Sequence, residues 1–268
     1  MDHVGIVARE LKPLVDAFNA LGFRVSRPVP LCGMRDGESV SLGQHSAHIV
    51  LANFYIEISA PDPGRSDNHL VPYLERFGPG TRIVALTCSN APTAHAALSK
   101  QGLELGELFE ASRTVAHGGG ATANFRWFPI VGAPELSALT CWVEQLTPEL
   151  VLHPAGRTAA WTAHSAIEVI ASCDEPLVSR EQFGNWAKAA GVDRQAPPLI
   201  PHRRAGGDEG DSKPTVVDRL LLASSDLERY RRYLEARRMP YTEENDGLWI
   251  SLPGLPALQL GFIELEER

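Results

Sequence analysis

Two glutamates sit in the middle of apolar, strand-like runs: Glu57 in FYIEIS and Glu144 in CWVEQL. Alternate residues of a strand share a face. Glu57 therefore belongs with Tyr55 and Ser59, opposite Ile56 and Ile58, and Glu144 belongs with Trp142, opposite Val143. A carboxylate with such neighbours is seldom buried unless it is paired or metal-bound. Nine histidines offer partners. His3 lies in the first apolar segment, and His48 on a middle strand where it can line a pocket. His45 has the opposite parity. His153 precedes a proline in LHPAG, and His164 opens AHSAIE. His69, His95, His117 and His202 read as surface or loop residues. Imidazole nitrogen and carboxylate oxygen together suit an open Zn, Mn, Ni or Fe site, or they pass a proton to and from a substrate. The bland alternatives are a solvated sheet face for the glutamates and loop hydrogen bonds for His153.

These side chains need strands to hold them, and the sequence supplies them in a recurring order. Asp2 to Ala8 alternates as a strand. Leu11, Leu14, Val15, Phe18 and Leu21 then form a helical stripe, and Gly22 ends it. Strands are predicted at Phe23–Val29, His45–Leu51 and Phe54–Ser59, before Pro61, Pro63 and Gly64. The order returns with strand Arg82–Cys88, helix Ala91–Lys100, and strands Leu103–Ala111, Ala123–Val131 and Leu136–Leu146. A third start runs from His164 to Ser172, with a helix over Ser179–Ala190. A fourth has strand Val216–Ala223, helix Asp226–Arg237, and short strands near Tyr241, Leu248–Leu252 and Leu258–Ile263. Repetition at this spacing means one structural unit used several times. The helical exits NALGF, SKQGL and KAAGV mark it. The Pro-, Gly- and charge-rich stretch at about 196–214 is predicted to be a flexible linker. HGGGATANF fits a flexible turn or a lid. Phe125, Trp127 and Trp142 are candidates for a pocket wall, with core packing as the alternative.

The chain has 268 residues, a 44% hydrophobic fraction and a formal charge of -8. An acidic chain disfavours nucleic acid and anionic membrane surfaces as partners. Cys32, Cys88, Cys141 and Cys173 are scattered without a C-x-x-C pair, and the last three read as buried thiols. No apolar stretch is long enough to span a bilayer. MDHVGIVA reads as a strand rather than a signal peptide, so a cytoplasmic location is expected. No G-x-S-x-G elbow or P-loop motif occurs.

The segment MDHVGIVARELKPLVDAFNALGFRV, with HIVLANFYIEISAP after it, resembles the glyoxalase-like branch of the vicinal oxygen chelate superfamily. WVEQLTPELVLHPAG is similar to the stretch after the second unit in larger glyoxalase-like domain proteins. The resemblance implies α+β architecture: repeated βαβββ modules whose curved, mostly antiparallel sheets surround a cleft. The modules would be residues 1–64 and 80–152, with two abbreviated modules in 160–268. It also implies a divalent metal on ligands from the first and last strands. His3 matches the first-strand histidine, Glu57 the last-strand glutamate, and Glu144 its counterpart in the second module. RIVALT offers no histidine at the matching place, so His153 or His164 would complete the set. Gln145 stands where relatives often carry histidine.

The expectation is thus a small-molecule enzyme of isomerase, lyase or dioxygenase type. Its metal ligands would be His3, Glu57, Glu144 and His153, its catalytic groups Glu57 and Glu144, and its substrate wall His48, Tyr55, Trp127 and Trp142. The alternative is a metal-free protein of the same fold that binds or sequesters a small molecule. A homodimer is expected from the need to cover sheet edges.

Overall fold

The computed structural model describes residues 1–35, 38–115, 117, 119–131, 137–173, 180–191, 198–203 and 216–266. The first stretch contains β1 (His3–Val7), α1 (Leu11–Ala20), β2 (Val29–Arg35), β3 (Glu38–Val50), β4 (Tyr55–Pro61) and α2 (Val71–Phe77). The second contains β5 (Gly80–Thr87), α3 (Ala91–Lys100), β6 (Phe109–Thr114), β7 (Thr122–Pro129), β8 (Leu139–Gln145) and the short α4 (Pro148–Val151). The last contains β9 (Ser165–Cys173), α5 (Arg180–Ala189), β10 (Leu199–Arg203), β11 (Val216–Ser224), α6 (Leu227–Ala236), β12 (Thr242–Glu244), β13 (Gly247–Leu252) and β14 (Leu255–Glu264).

The first eight strands close into a barrel of order β1-β4-β3-β2-β6-β7-β8-β5. β1 runs parallel to β4 and antiparallel to β5, so the two halves meet along β1 and β5. On the far side β2 meets β6 through Cys32–Ser112 and Gly33–Ala111. Gly5 permits the β1–β5 approach, because a Cβ there would lie 2.6 Å from Ile83 Cβ. The remaining strands form a six-stranded sheet, β10-β9-β11-β14-β13-β12. In it β11 is parallel to β14 and antiparallel to β9, repeating the relation of β1 to β4 and β5. This is the mixed α+β architecture of curved, mostly antiparallel sheets that the sequence led us to expect.

Strand parity divides the barrel into two environments. Outward residues Val4, Ile6, Ile56, Ile58, Leu86 and Trp142 enter the main apolar core. That core also takes Leu14 and Phe18 of α1, Ala94 and Leu98 of α3, and Leu222, Leu260 and Phe262 of the second sheet. Helices form where apolar residues recur at three and four, and side-chain caps start α3 and α6. Asn90 accepts a hydrogen bond from Thr93 N at 2.9 Å, and Asp226 accepts from Arg229 N at 2.9 Å. The tyrosines of α6 tie it to α1: Tyr230 donates to Leu21 O at 3.1 Å and Tyr233 to Ala20 O at 3.1 Å. Cys88 and Cys141 are buried free thiols, while the Cys173 side chain lies outside the described side chains.

Four local expectations change. Residues 23–28 are not a strand; β2 starts only at Val29. Pro28 removes an amide donor there, and the chain is held by isolated bonds such as Ser26 N to His48 O. The strand expected from Leu103 begins instead at Phe109, preceded by a single bridge from Leu105 to Ile130. The helix α2 was not anticipated. Within 196–214, Leu199–Arg203 pair parallel with β9; residues 196–197 and 204–214 lie outside the described residues. In HGGGATANF, His117, Gly119 and Gly120 form a turn, and Gly118 lies outside the described residues. Among the described residues, no helix is long and apolar enough to cross a membrane.

Candidate active site

The inward faces of β1, β3 and β4 bring polar groups into the barrel. Glu57 stands at their centre. Its Oε1 accepts from Ser46 Oγ at 2.8 Å, from Gln44 Nε2 at 3.3 Å and from Ser59 Oγ in a short bond. Its Oε2 lies 3.4 Å from His3 Nε2. His3 Nδ1 in turn lies 2.7 Å from Asp2 Oδ1, which also accepts from Gln145 Nε2 at 3.0 Å. His3 stacks on the Tyr55 ring, with centroids 4.3 Å apart. The result is an Asp2–His3–Glu57 chain, supported by hydroxyls and amides and almost fully withdrawn from water.

The electrostatics follow from this placement. Burial alone disfavours charge on His3, but bonds to Asp2 and Glu57 outweigh it and raise its pKa above the ordinary 6.5. Burial likewise opposes the Glu57 carboxylate, yet the hydrogen bonds and charge of His3 and the Ser59 hydroxyl hold its pKa well below the usual range. Each partner thus favours the charged form of the other, imidazolium for His3 and carboxylate for Glu57. His48 behaves oppositely: burial, and then the charge of Arg113, push its pKa well below 6.5, so it is neutral. Burial pushes Tyr55 well above 10.

A cavity of about 570 Å³, part of it open to solvent, lies over this chain. His3, Gln44, Ser46, His48, Tyr55 and Glu57 line one side, and Ile83, Phe125, Trp127, Leu139, Cys141 and Val143 line the other. The first half of the barrel thus presents acid–base groups and the second a largely apolar wall. His69 also lines the cavity, contrary to its expected surface position, with its ring 5.9 Å from that of Trp127.

His3, Glu57, His48, Tyr55 and Trp127 are brought together here. Glu144, Trp142 and His153 are not. The inward residues of β8 are Leu139, Cys141 and Val143, so Glu144 and Trp142 face outward by strict alternation. Trp142 is fully buried in the helix-side core. Glu144 Oε2 accepts from Ala91 N at 2.9 Å, at the start of α3, where the helix dipole favours an anion. His153 is exposed, caps the turn Pro154–Gly156 and stacks on His117 at 5.1 Å. Its fixed place beside proline in a surface turn keeps it from the barrel. His164 lies at the start of β9, and its backbone carbonyl accepts from Ala52 N.

These placements decide how well a divalent metal fits. His3 and Glu57 are two good donors, but they are already bonded to each other and to neighbours. The matching inward positions of the second half are Ala85, Cys141 and Val143, which form an apolar cluster. Among the described residues, no group of three His, Cys, Asp or Glu gathers as a metal site. The donor set does not fit the expected centre.

Asp2, Gln44, Ser46 and Arg113 escaped the sequence reading. Gln44, Ser46 and His48 share parity on β3, a signal that was available. Nothing local marks Arg113, because its role depends on the barrel closing across β2 and β6.

Comparison with known proteins places this geometry. Residues 1–174 match the family model described as a glyoxalase-like domain. A hypothetical protein from Staphylococcus aureus superposes over 98% of both chains with TM-score 0.63 and 9% identity. A triple mutant of 4-hydroxymandelate synthase from Streptomyces coelicolor superposes over 98% of this chain and 92% of its own, with TM-score 0.63 and 15% identity. Methylmalonyl-CoA epimerase from Streptomyces coelicolor covers 55% of this chain and 96% of its own, at TM-score 0.39 and 18% identity. No curated protein matches. At these identities the first two solved structures show a shared fold over nearly the whole chain.

Proposed function

The chain belongs to the glyoxalase-like domain family, within the vicinal oxygen chelate superfamily, and from that premise we propose that it is a small-molecule enzyme performing proton transfer in the barrel cavity. Glu57 is the base and His3 the acid that balances it. The observation that carries this reading is the buried Glu57 carboxylate, held ionised by His3, Ser46 and Ser59 at the polar side of a cavity whose other wall is apolar. Such a wall excludes water and orients an apolar body, while the polar side moves a proton at a carbon next to a carbonyl. Deprotonation there leaves an enolate oxygen, and His48, whose Nε2 has no partner in the fold, donates a hydrogen bond to it as the Nε2–H tautomer. Glu57 returns the proton to the adjacent carbon, so the reading is an isomerase type of chemistry. A Zn, Mn, Ni or Fe ion is no part of it, because the donors present do not assemble a site.

The test is proton exchange. Small α-substituted carbonyl compounds incubated with the full chain in D₂O lose their α-proton signal by NMR in the presence of wild type and not of Glu57→Gln. Exchange that persists in Glu57→Gln refutes the assignment. A second reading, a binding protein without turnover, is favoured by the aromatic side of the cavity, where Trp127 stacks on Phe109 at 4.9 Å. Tight ligand binding with no exchange for any compound supports it. Stoichiometric metal on protein purified without chelator, lost in His3→Ala, would instead support the metal-assisted reading. The expected homodimer loses one support, since the barrel closes within a single chain. Among the described strands, the edges of the second sheet are β10 and β12.

A further inference from the structure

We infer that the substrate is an oxyanion, a carboxylate or phosphate ester with an apolar body, and that Arg113 and His48 hold its charged end. The inference rests on the proposed acid–base reading of the cavity and adds to it the substrate's class.

Arg113 is buried, with 8% of its surface exposed. A guanidinium withdrawn from water is costly unless it is paired. Among the described residues no carboxylate pairs with it. Its cation lies over the Tyr55 ring at 5.2 Å, and its Nη2 has no hydrogen-bond partner. His48 is also buried, at 3% exposure, and its Nε2 is likewise without a partner. Its backbone is fixed, because His48 N donates to Ser26 Oγ at 2.9 Å. Both residues line cavities and each keeps a buried polar atom without a partner, an arrangement for a ligand rather than for the fold.

Their location gives the ligand its sign. Arg113 and His48 line both the acid–base cavity and a second cavity beside it. Arg24, Arg27 and His117 also line the second, and among the described residues no acidic one does. In a chain of charge -8, this local excess of cations focuses field toward anions. Arg24 and Arg27 are exposed at the rim, and Arg113 and His48 are buried where the two cavities meet. An anion entering past the rim is drawn to Arg113 Nη2 and His48 Nε2, the two atoms without a partner, and His48 donates to it as the Nε2–H tautomer. Its body then extends toward Tyr55, Phe125 and Trp127, and its reacting carbon toward Glu57. The polar side of the barrel is thus divided between an anion end and a proton-transfer end, with His48 between them.

The test compares charged and neutral ligands of one shape. Benzoate and benzamide are titrated into the full chain by calorimetry, with wild type, Arg113→Gln, Glu57→Gln and the rim double variant Arg24→Gln/Arg27→Gln. A charge-assisted bond predicts benzoate binding about 10- to 100-fold tighter than benzamide. Arg113→Gln removes that preference. If Arg113→Gln fails to fold, the exposed rim variant carries the test: it weakens benzoate several-fold, lowers the salt dependence and leaves benzamide unchanged. Competition by inorganic phosphate assigns a phosphate ester, and its absence a carboxylate. Equal affinity for the two ligands, no benzoate binding, or a preference that neither arginine change reduces overturns the inference. Anion preference retained while Glu57→Gln leaves proton exchange unaltered would instead overturn the acid–base reading alone.

Discussion

Replacing Glu57 by glutamine isolates what the buried pair does. The change keeps volume and one acceptor oxygen, so it opens no cavity. It removes a charge that accepts from Ser46, Ser59 and Gln44 and faces His3. Breaking a buried ion pair costs about 3–5 kcal/mol when the remaining charge is stranded. Here His3 is not stranded, because it sheds its proton: the burial that opposes its charge remains and only Asp2 still supports the imidazolium. The expected loss is therefore about 2 kcal/mol near pH 6, at the level of one or two hydrogen bonds to a charged group. Urea unfolding of both proteins measures it. NMR titration of the His3 ring checks the cause, with the pKa lowered in Glu57→Gln. The pH dependence has a defined sign. A raised histidine pKa contributes stability in full below its ordinary 6.5, lost as pH rises through the folded value. A lowered glutamate pKa contributes in full above its ordinary 4.5, lost as pH falls through the folded value. The stability difference between the two proteins is thus greatest between pH 4.5 and 6.5. An unchanged His3 titration, or a difference flat across pH, refutes the coupling.

The other side chains separate the barrel's two faces. Glu144→Gln removes an anion from the start of α3 and costs about 0.3–1 kcal/mol by chemical denaturation, with the His3 titration unmoved. A large fall in the His3 pKa would put Glu144 at the site after all. His153→Ala, at an exposed turn, leaves both stability and the His3 titration within about 0.5 kcal/mol or its equivalent, measured by the same two methods. Gly5→Ala forces a Cβ to within 2.6 Å of Ile83 and costs about 1–3 kcal/mol by overpacking where β1 meets β5. Thermal unfolding of that variant, with Ile83→Val as a partial rescue, reads it. Sedimentation velocity tests association through the open sheet edges: β12 exposes Glu243 and Glu244, which disfavour edge pairing, so any dimer should survive their replacement by serine.

Helices and most strands were legible because their signals are local. The stripe Leu14–Phe18, the Asn90 and Asp226 caps and the alternation around Glu57 each lie within a few residues. His3 and Glu57 could be paired from the sequence through the resemblance, and the β1–β4 register, Gly5 opposite Glu57, supplies the physical reason. Glu144 misled because the letters of CWVEQ match FYIEI while the facing does not. A slip of one residue in a strand exchanges inside for outside, and composition cannot detect it. Strand β2 was displaced because Phe23 and Val25 look strand-forming, whereas Pro28 delays regular pairing. Arg113 was invisible because a buried cation is recognised only when its surroundings are known.

The two halves of the barrel repeat one topology and divide the work unequally. In the first half the last strand points a carboxylate inward and surrounds it with hydroxyls. In the second the corresponding strand points Cys141 and Val143 inward and turns its carboxylate out to the α3 N-terminus. A pseudosymmetric metal cage needs donors from both halves, and this chain has donors from one. A proton-transfer site needs the reverse: one polar wall that fixes the charge states and one apolar wall that keeps water from levelling them. The same asymmetry explains why His3 and Glu57 can be buried and charged together. His3 stands between two carboxylates, Asp2 at 2.7 Å and Glu57 at 3.4 Å, and the apolar wall opposite removes the competing solvent. Restoring symmetry should therefore harm the site: Val143→Glu, which puts a second inward carboxylate on that wall, repels Glu57 and raises its pKa. Carboxyl NMR would follow that rise, and an unmoved Glu57 would mean that the two walls do not share one field.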